Sequence, residues 1–170
     1  MGSGKTTLGR ELARRTGRTF IDCDHELEQR LGVRVSTVFE IEGEAGFRVR
    51  ESRLLAELAQ RADLVLATGG GAVLREENRA RLREHCLVVY LKVAPAVLWE
   101  RLRHDRTRPL LQVSNPRARI EALFREREPL YCEVADVILE GGRGGVGHMV
   151  SKLEGALAQL GEQRGESVRT

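Results

Sequence analysis

Six residues near the start of this chain, Gly2-Ser3-Gly4-Lys5-Thr6-Thr7, limit its fold more than any others. They match the second half of the G-x-x-x-x-G-K-[ST] pattern, a glycine-rich loop running into a helix whose backbone N–H groups surround phosphate oxygens. In that role Lys5 bridges the β- and γ-phosphates, and Thr6 offers its hydroxyl to Mg²⁺, a cation that prefers hard oxygen ligands and keeps several waters. A flexible glycine-rich lead into a helix is the plain alternative, but helix, strand and further motifs follow in the order a phosphate loop requires.

That order is an alternation of strand and helix, which predicts a parallel sheet with helices on both faces. A helix is expected over Lys5–Thr16, with Leu8, Leu12 and Ala13 on one face and Gly17 ending it. Thr19-Phe20-Ile21 reads as a strand, and Asp24 to about Arg61 reads as helical with breaks at Gly32 and Gly43. Leu64–Ala67 is expected as a buried strand, Glu76–Glu84 as a helix, Leu87–Leu91 as a strand, and Pro95 to about His104 as a helix. The arginine-rich, proline-bounded stretch 105–116 reads as a mobile lid. A helix over about Arg117–Tyr131, a strand over Ala135–Leu139, a turn over Gly141–Gly147 and a helix over His148–Leu160 complete the pattern. The division expected is one domain over 1–160, with a substrate-binding segment at 23–61, followed by a flexible tail at 161–170.

Two parts of the phosphate motif do not precede Gly2: the opening glycine and the apolar strand that normally feeds it. That strand would lie centrally in the sheet. Losing about four buried aliphatic side chains at about 1.5–3 kcal/mol each forfeits about 6–12 kcal/mol, against a whole-domain stability of about 5–15 kcal/mol. The expectation drawn is a truncated sequence or a wrongly chosen start codon.

Composition excludes several classes. The chain has 170 residues, 41% hydrophobic and 31% charged, the size and make-up of one soluble domain. No apolar run approaches the roughly 18 residues of a membrane span, and no signal peptide opens the chain, so a cytoplasmic protein without a membrane partner is expected. Net charge is only +3 and aromatic content 4%, too little basic surface and stacking area for a nucleic-acid binder. Three scattered cysteines suggest neither a disulfide framework nor a zinc site.

Five further motifs bear on the substrate. Asp22 and Asp24 flank Cys23 at a strand end, where one carboxylate suits metal support and the other suits orienting an attacking hydroxyl. Capping of the next helix is their simpler role. Arg48 and Glu51 stand at i and i+3 on a helix, so the carboxylate can fix the guanidinium for capture of an anion, unless the two form only a surface ion pair. Thr68-Gly69-Gly70-Gly71 after a strand is costly in backbone entropy, and three adjacent glycines imply close approach to the main chain. Arg106-Thr107-Arg108-Pro109-Leu110-Leu111 and Arg127-Glu128-Pro129-Leu130-Tyr131 place further arginines in the expected lid and at a helix end.

Taken in order, GSGKTT, DCD, FRVRE, TGGGAV, RTRPLL and REPLY resemble the shikimate kinase family from Met1 to Leu139. The resemblance implies a P-loop NTPase fold, α/β, three-layer α/β/α and nucleoside monophosphate kinase-like, with the first central strand absent. It also implies transfer of the ATP γ-phosphate to the 3-hydroxyl of shikimate by a monomer using ATP and Mg²⁺. By matching motif, Asp24 would bind shikimate hydroxyls and serve as base or orienting group. Arg48 and Arg127 would hold the carboxylate, and Gly70, within Gly69–Gly71, a hydroxyl. Gly2, Ser3, Gly4, Lys5, Thr6 and Thr7 would form the phosphate loop, Lys5 being catalytic. Thr6 would bind Mg²⁺ directly and Asp22 through water. Arg108 would be the catalytic lid contact to ATP, Arg101 would approach the nucleotide, and Arg143 is the candidate for the adenine contact.

Overall fold

Gly4, in the left-handed region at φ 93°, turns the chain into helix α1 (Lys5–Thr16), and Gly17 at φ 67° stops it, with the Arg18 N–H donating to the Ala13 carbonyl at 2.9 Å. The computed structural model describes residues 2–105, 109–141 and 145–167, with side-chain surroundings for 2–105, 110–141 and 145–160. The expected lid residues Arg106 and Arg108 and the expected adenine residue Arg143 lie outside those ranges.

Beyond α1 come β1 (Thr19–Asp22), α2 (Cys23–Leu31), α3 (Val35–Leu58), β2 (Leu64–Ala67), α4 (Glu76–His85), β3 (Val89–Val93), α5 (Pro95–Leu102), α6 (Pro116–Val134), β4 (Val137–Gly141) and α7 (Val146–Ser167). Single 3₁₀ turns occupy Ala72–Leu74 and Pro109–Leu111. The alternation is the expected one, and all strand pairs are parallel: β1 with β2, Thr19 opposite Leu64, and β3 with β4, Val89 opposite Val137.

These are two separate two-stranded sheets. Among the described residues no strand joins β2 to β3. A cleft of about 830 Å³ lies there, lined by Leu64–Ala67 on one side and Val88–Leu91 on the other, with Leu8, Leu123 and Phe124. It occupies the central place in which the sequence led us to expect a strand ahead of the phosphate loop.

Each half has its own apolar core. Cys23, Leu27, Val38, Phe47, Leu54 and Leu58 pack under β1 and β2, while Leu8, Leu91, Val93, Val137, Leu139, Val150 and Leu153 pack around β3 and β4. Helix α1 reaches both. Its Leu8 belongs to the second core, and its Gly9 lets the helix settle on the first half: a Cβ there would stand 2.6 Å from the Phe20 ring.

Several boundaries differ from expectation, most for a local reason. β3 starts at Val89 rather than Leu87, where the Val88 N–H is taken by the Asp136 carboxylate at 2.7 Å. β4 starts at Val137 rather than Ala135, whose N–H closes the end of α6 on the Tyr131 carbonyl at 3.1 Å. α6 opens at Pro116 because the Asn115 side chain caps it, accepting from the Ala118 N–H at 3.0 Å. α7 continues as helix past Leu160 to Ser167.

Candidate functional site

The phosphate loop sits at the head of α1. Gly2 and Gly4 both take positive φ, 64° and 93°, a backbone form that turns successive N–H groups inward into an anion nest. The loop is held from α5: Arg101 donates to the Gly2 carbonyl at 3.1 Å, and a Cβ on Gly2 would stand 2.9 Å from Leu102 Cγ. Arg101, expected near the nucleotide, thus reaches the loop main chain. Ser3 and Lys5 line the large cleft, and Thr6 and Thr7 line a second cavity of about 370 Å³ with Arg10, Arg14 and the start of α7.

Asp22 ends β1 beside the loop. One carboxylate oxygen accepts from the Thr6 hydroxyl at 2.7 Å, and the other accepts from the Asp24 N–H at 3.1 Å, capping α2. The capping role read for Asp22 is realised, and the same carboxylate also meets the loop threonine. Cys23 turns into the core, where burial first and the neighbouring carboxylates second push its thiol pKa up. Asp24, expected at a strand end, lies instead in the first turn of α2 and is exposed.

Among the described residues no group of three or more His, Cys, Asp or Glu side chains could cage a metal. The Thr6 hydroxyl beside the Asp22 carboxylate is instead a partial set of hard oxygens, which suits Mg²⁺, an ion that completes its shell with water and phosphate. That donor set fits the group the sequence implies.

Gly43 explains how the substrate segment folds over the site. It breaks α3 with φ 68° and ψ −177°, and the second part of the helix then presents Arg48 and Glu51 inward. Arg48 donates to Glu51 Oε2 and to Glu44 Oε1, both at 2.8 Å. Arg48 is 8% exposed and Glu51 3%, so the i, i+3 pair is a buried one, not the surface ion pair that was the simpler reading. Burial opposes the Arg48 charge, but Glu51 and Glu44 outweigh it and hold its pKa above the ordinary value. Burial likewise raises the Glu51 carboxyl, with the Arg48 guanidinium pulling the other way.

The triple glycine lies directly on this pair. A Cβ on Gly71 would collide with the Arg48 guanidinium, and one on Gly69 would collide with Glu51 Oε1 and stand 3.3 Å from Asp24 Oδ1. This is the close approach that three adjacent glycines implied. From the other side, Tyr131 of α6 donates its phenol hydrogen to the Gly70 carbonyl. Arg127, one turn earlier, is 5% exposed. Its Nε has no hydrogen-bond partner, and Glu126 stands 4.0 Å away, too far for one. Glu51 Oε1 is likewise buried without a partner. An unmatched guanidinium N–H and an unmatched carboxylate oxygen, both out of water, are costly unless a ligand completes them.

The structure thus gathers Asp24, Arg48, Gly69, Gly70, Gly71 and Arg127 around one spot, with Ser3, Lys5, Gly69, Gly70 and Arg127 all lining the same cleft. Glu44 and Tyr131 were not singled out from sequence. Glu44 carried a signal in its i, i+4 spacing to Arg48, whereas nothing local announces that Tyr131 meets a carbonyl 61 positions away.

A phosphate nest that lines one cleft with the buried Arg127 puts this chain among the P-loop kinases of small anionic molecules. Known proteins narrow that class. The family model for shikimate kinase matches residues 1–154, and the chain belongs to that family. It is 64% identical over 157 residues to the shikimate kinase of Aromatoleum aromaticum, covering 92% of this chain and 90% of that one. Its fold superposes with a TM-score of 0.92 and 44% identity on a shikimate kinase from Acinetobacter baumannii solved in complex with shikimate, covering 94% of this chain and 89% of that one. A gluconokinase from Sinorhizobium meliloti, 20% identical at a TM-score of 0.65 over 98% of this chain and 92% of that one, shares the fold.

Proposed function

We propose that this chain transfers the γ-phosphate of ATP to the 3-hydroxyl of shikimate, giving shikimate 3-phosphate and ADP on the route to chorismate and the aromatic amino acids. The observation that carries the reading is the unmatched Arg127 Nε buried within the same site as the Arg48–Glu51 pair and the glycine floor. A small carboxylate with ring hydroxyls completes that set, because a guanidinium fork binds a carboxylate in a fixed geometry that lysine cannot copy.

In this assignment Arg48 and Arg127 hold the carboxylate, and the backbone of Gly69–Gly71 meets a hydroxyl. Asp24 orients the 3-hydroxyl and takes its proton as the oxygen attacks the γ-phosphorus. The bond from that phosphorus to the β–γ bridging oxygen breaks, and the electron pair leaves with ADP. Lys5 and the N–H groups of Gly2–Thr7 bind the phosphates, and Arg108 and Arg143 contact the nucleotide. Thr6 through its hydroxyl and Asp22 through water would hold Mg²⁺, which would supply neutralisation of the phosphate charge. Alignment and charge stabilisation supply most of the rate in such transfers.

The enzyme acts on a small molecule, with no nucleic-acid or membrane partner, as a cytoplasmic monomer. No helix among the described residues is long and apolar enough to cross a membrane. The test is a coupled ADP-release assay with shikimate, gluconate and nucleoside monophosphates offered in turn. Turnover is expected with shikimate alone, and turnover with another acceptor but not with shikimate would overturn the assignment.

A further inference from the structure

The glycine loop can only receive a hydroxyl if its peptide planes are held in one orientation, and two different bonds hold them. The plane joining Gly69 to Gly70 is fixed locally, its carbonyl accepting from the Ala72 N–H at 3.1 Å. The plane joining Gly70 to Gly71 has no such local bond. Its carbonyl accepts from the Tyr131 hydroxyl, 61 positions away. Glycine is the residue least able to hold a plane by itself. In a trans peptide the C=O and N–H point in opposite directions, so a carbonyl drawn toward α6 turns the Gly71 N–H away from it.

Tyr131 is itself well placed for this. Its ring stacks on Tyr90 of β3, centroids 4.8 Å apart at 28°. Burial, ahead of the opposing pull of Arg127, raises its phenol pKa, which keeps it a donor. It also stands at i+4 from Arg127 on the same helix, so one hydrogen bond ties the arginine-bearing helix to the glycine loop. We infer that Tyr131 is a positioning residue for the acceptor: through Gly70 it sets the direction of the Gly71 N–H and the spacing between the loop and Arg127.

This rests on the shikimate assignment above, and the experiment separates the two. Calorimetry measures the Kd of shikimate, of shikimate lacking its 4-hydroxyl or its 5-hydroxyl, and of ATP, for the parent and for Tyr131→Phe, which keeps the stacked ring. The expected result is a rise of about 5- to 20-fold in the Kd of shikimate, an unchanged Kd for ATP, and no difference between parent and variant for one of the two deoxy compounds. In turnover, the KM for shikimate rises with little change in kcat. An unchanged shikimate Kd, or equal weakening of all four ligands, overturns the inference while leaving the assignment standing. Failure of the parent to bind shikimate overturns both.

Discussion

Arg127 and Lys5 test different halves of the chemistry. In the proposed assignment the buried Arg127 guanidinium holds the ground-state carboxylate, so Arg127→Ala is expected to raise the KM for shikimate by about 30-fold or more, the loss of a buried charged hydrogen bond, and to leave the KM for ATP alone. Lys5→Met removes charge that counts during transfer, so turnover falls to background. Steady-state kinetics with both substrates varied distinguishes the patterns, and an unchanged KM for shikimate in Arg127→Ala would count against its place in the site. Glu51 makes a pH prediction. Burial raises its folded-state pKa above the ordinary 4.5, so its contribution to stability is present below pH 4.5 and is lost as pH climbs through the raised value. Glu51→Gln, neutral throughout, should therefore gain stability relative to the parent between pH 4 and 7. Urea midpoints across that range check it, and the opposite slope would mean that attraction to Arg48 outweighs burial. At this scale the motifs were legible because each is a short string with its own spacing: the loop, the acidic pair, Arg48 with Glu51, the glycines. Tyr131 was not, because its partner is brought to it only by the packing of α6 beside the loop.

Among the elements, α3 depends on one residue. Gly43 at φ 68° and ψ −177° occupies a region essentially reserved for glycine. Gly43→Ala should cost about 1–3 kcal/mol and disturb the turn that delivers Arg48, so a lower melting temperature is expected together with weaker shikimate binding. A variant as stable as the parent would show that the kink is not needed. The break was readable at Gly43 from sequence, and so were the limits of α1 and β2, where capping glycines or a sharp change of hydropathy mark the ends. The edges of β3 and β4 were displaced by two residues each, because Asp136 and the last turn of α6 compete for backbone groups that hydropathy alone assigns to strands.

For the whole molecule, the split between β1–β2 and β3–β4 governs behaviour. In a parallel strand alternate N–H groups point to opposite sides, so the amides of β2 and β3 that face the cleft have no ladder partner there among the described residues. Hydrogen exchange should then show fast and slow amides alternating along Leu64–Ala67 and Val89–Val93, whereas uniform slow exchange would mean that the cleft is covered. Helix α1 is the keystone between the halves, pressing Gly9 on Phe20 of one half and burying Leu8 in the core of the other. Because the phosphate loop is the head of that same helix, nucleotide bound there braces both halves at once, so ATP should slow exchange in β1–β2 and β3–β4 together.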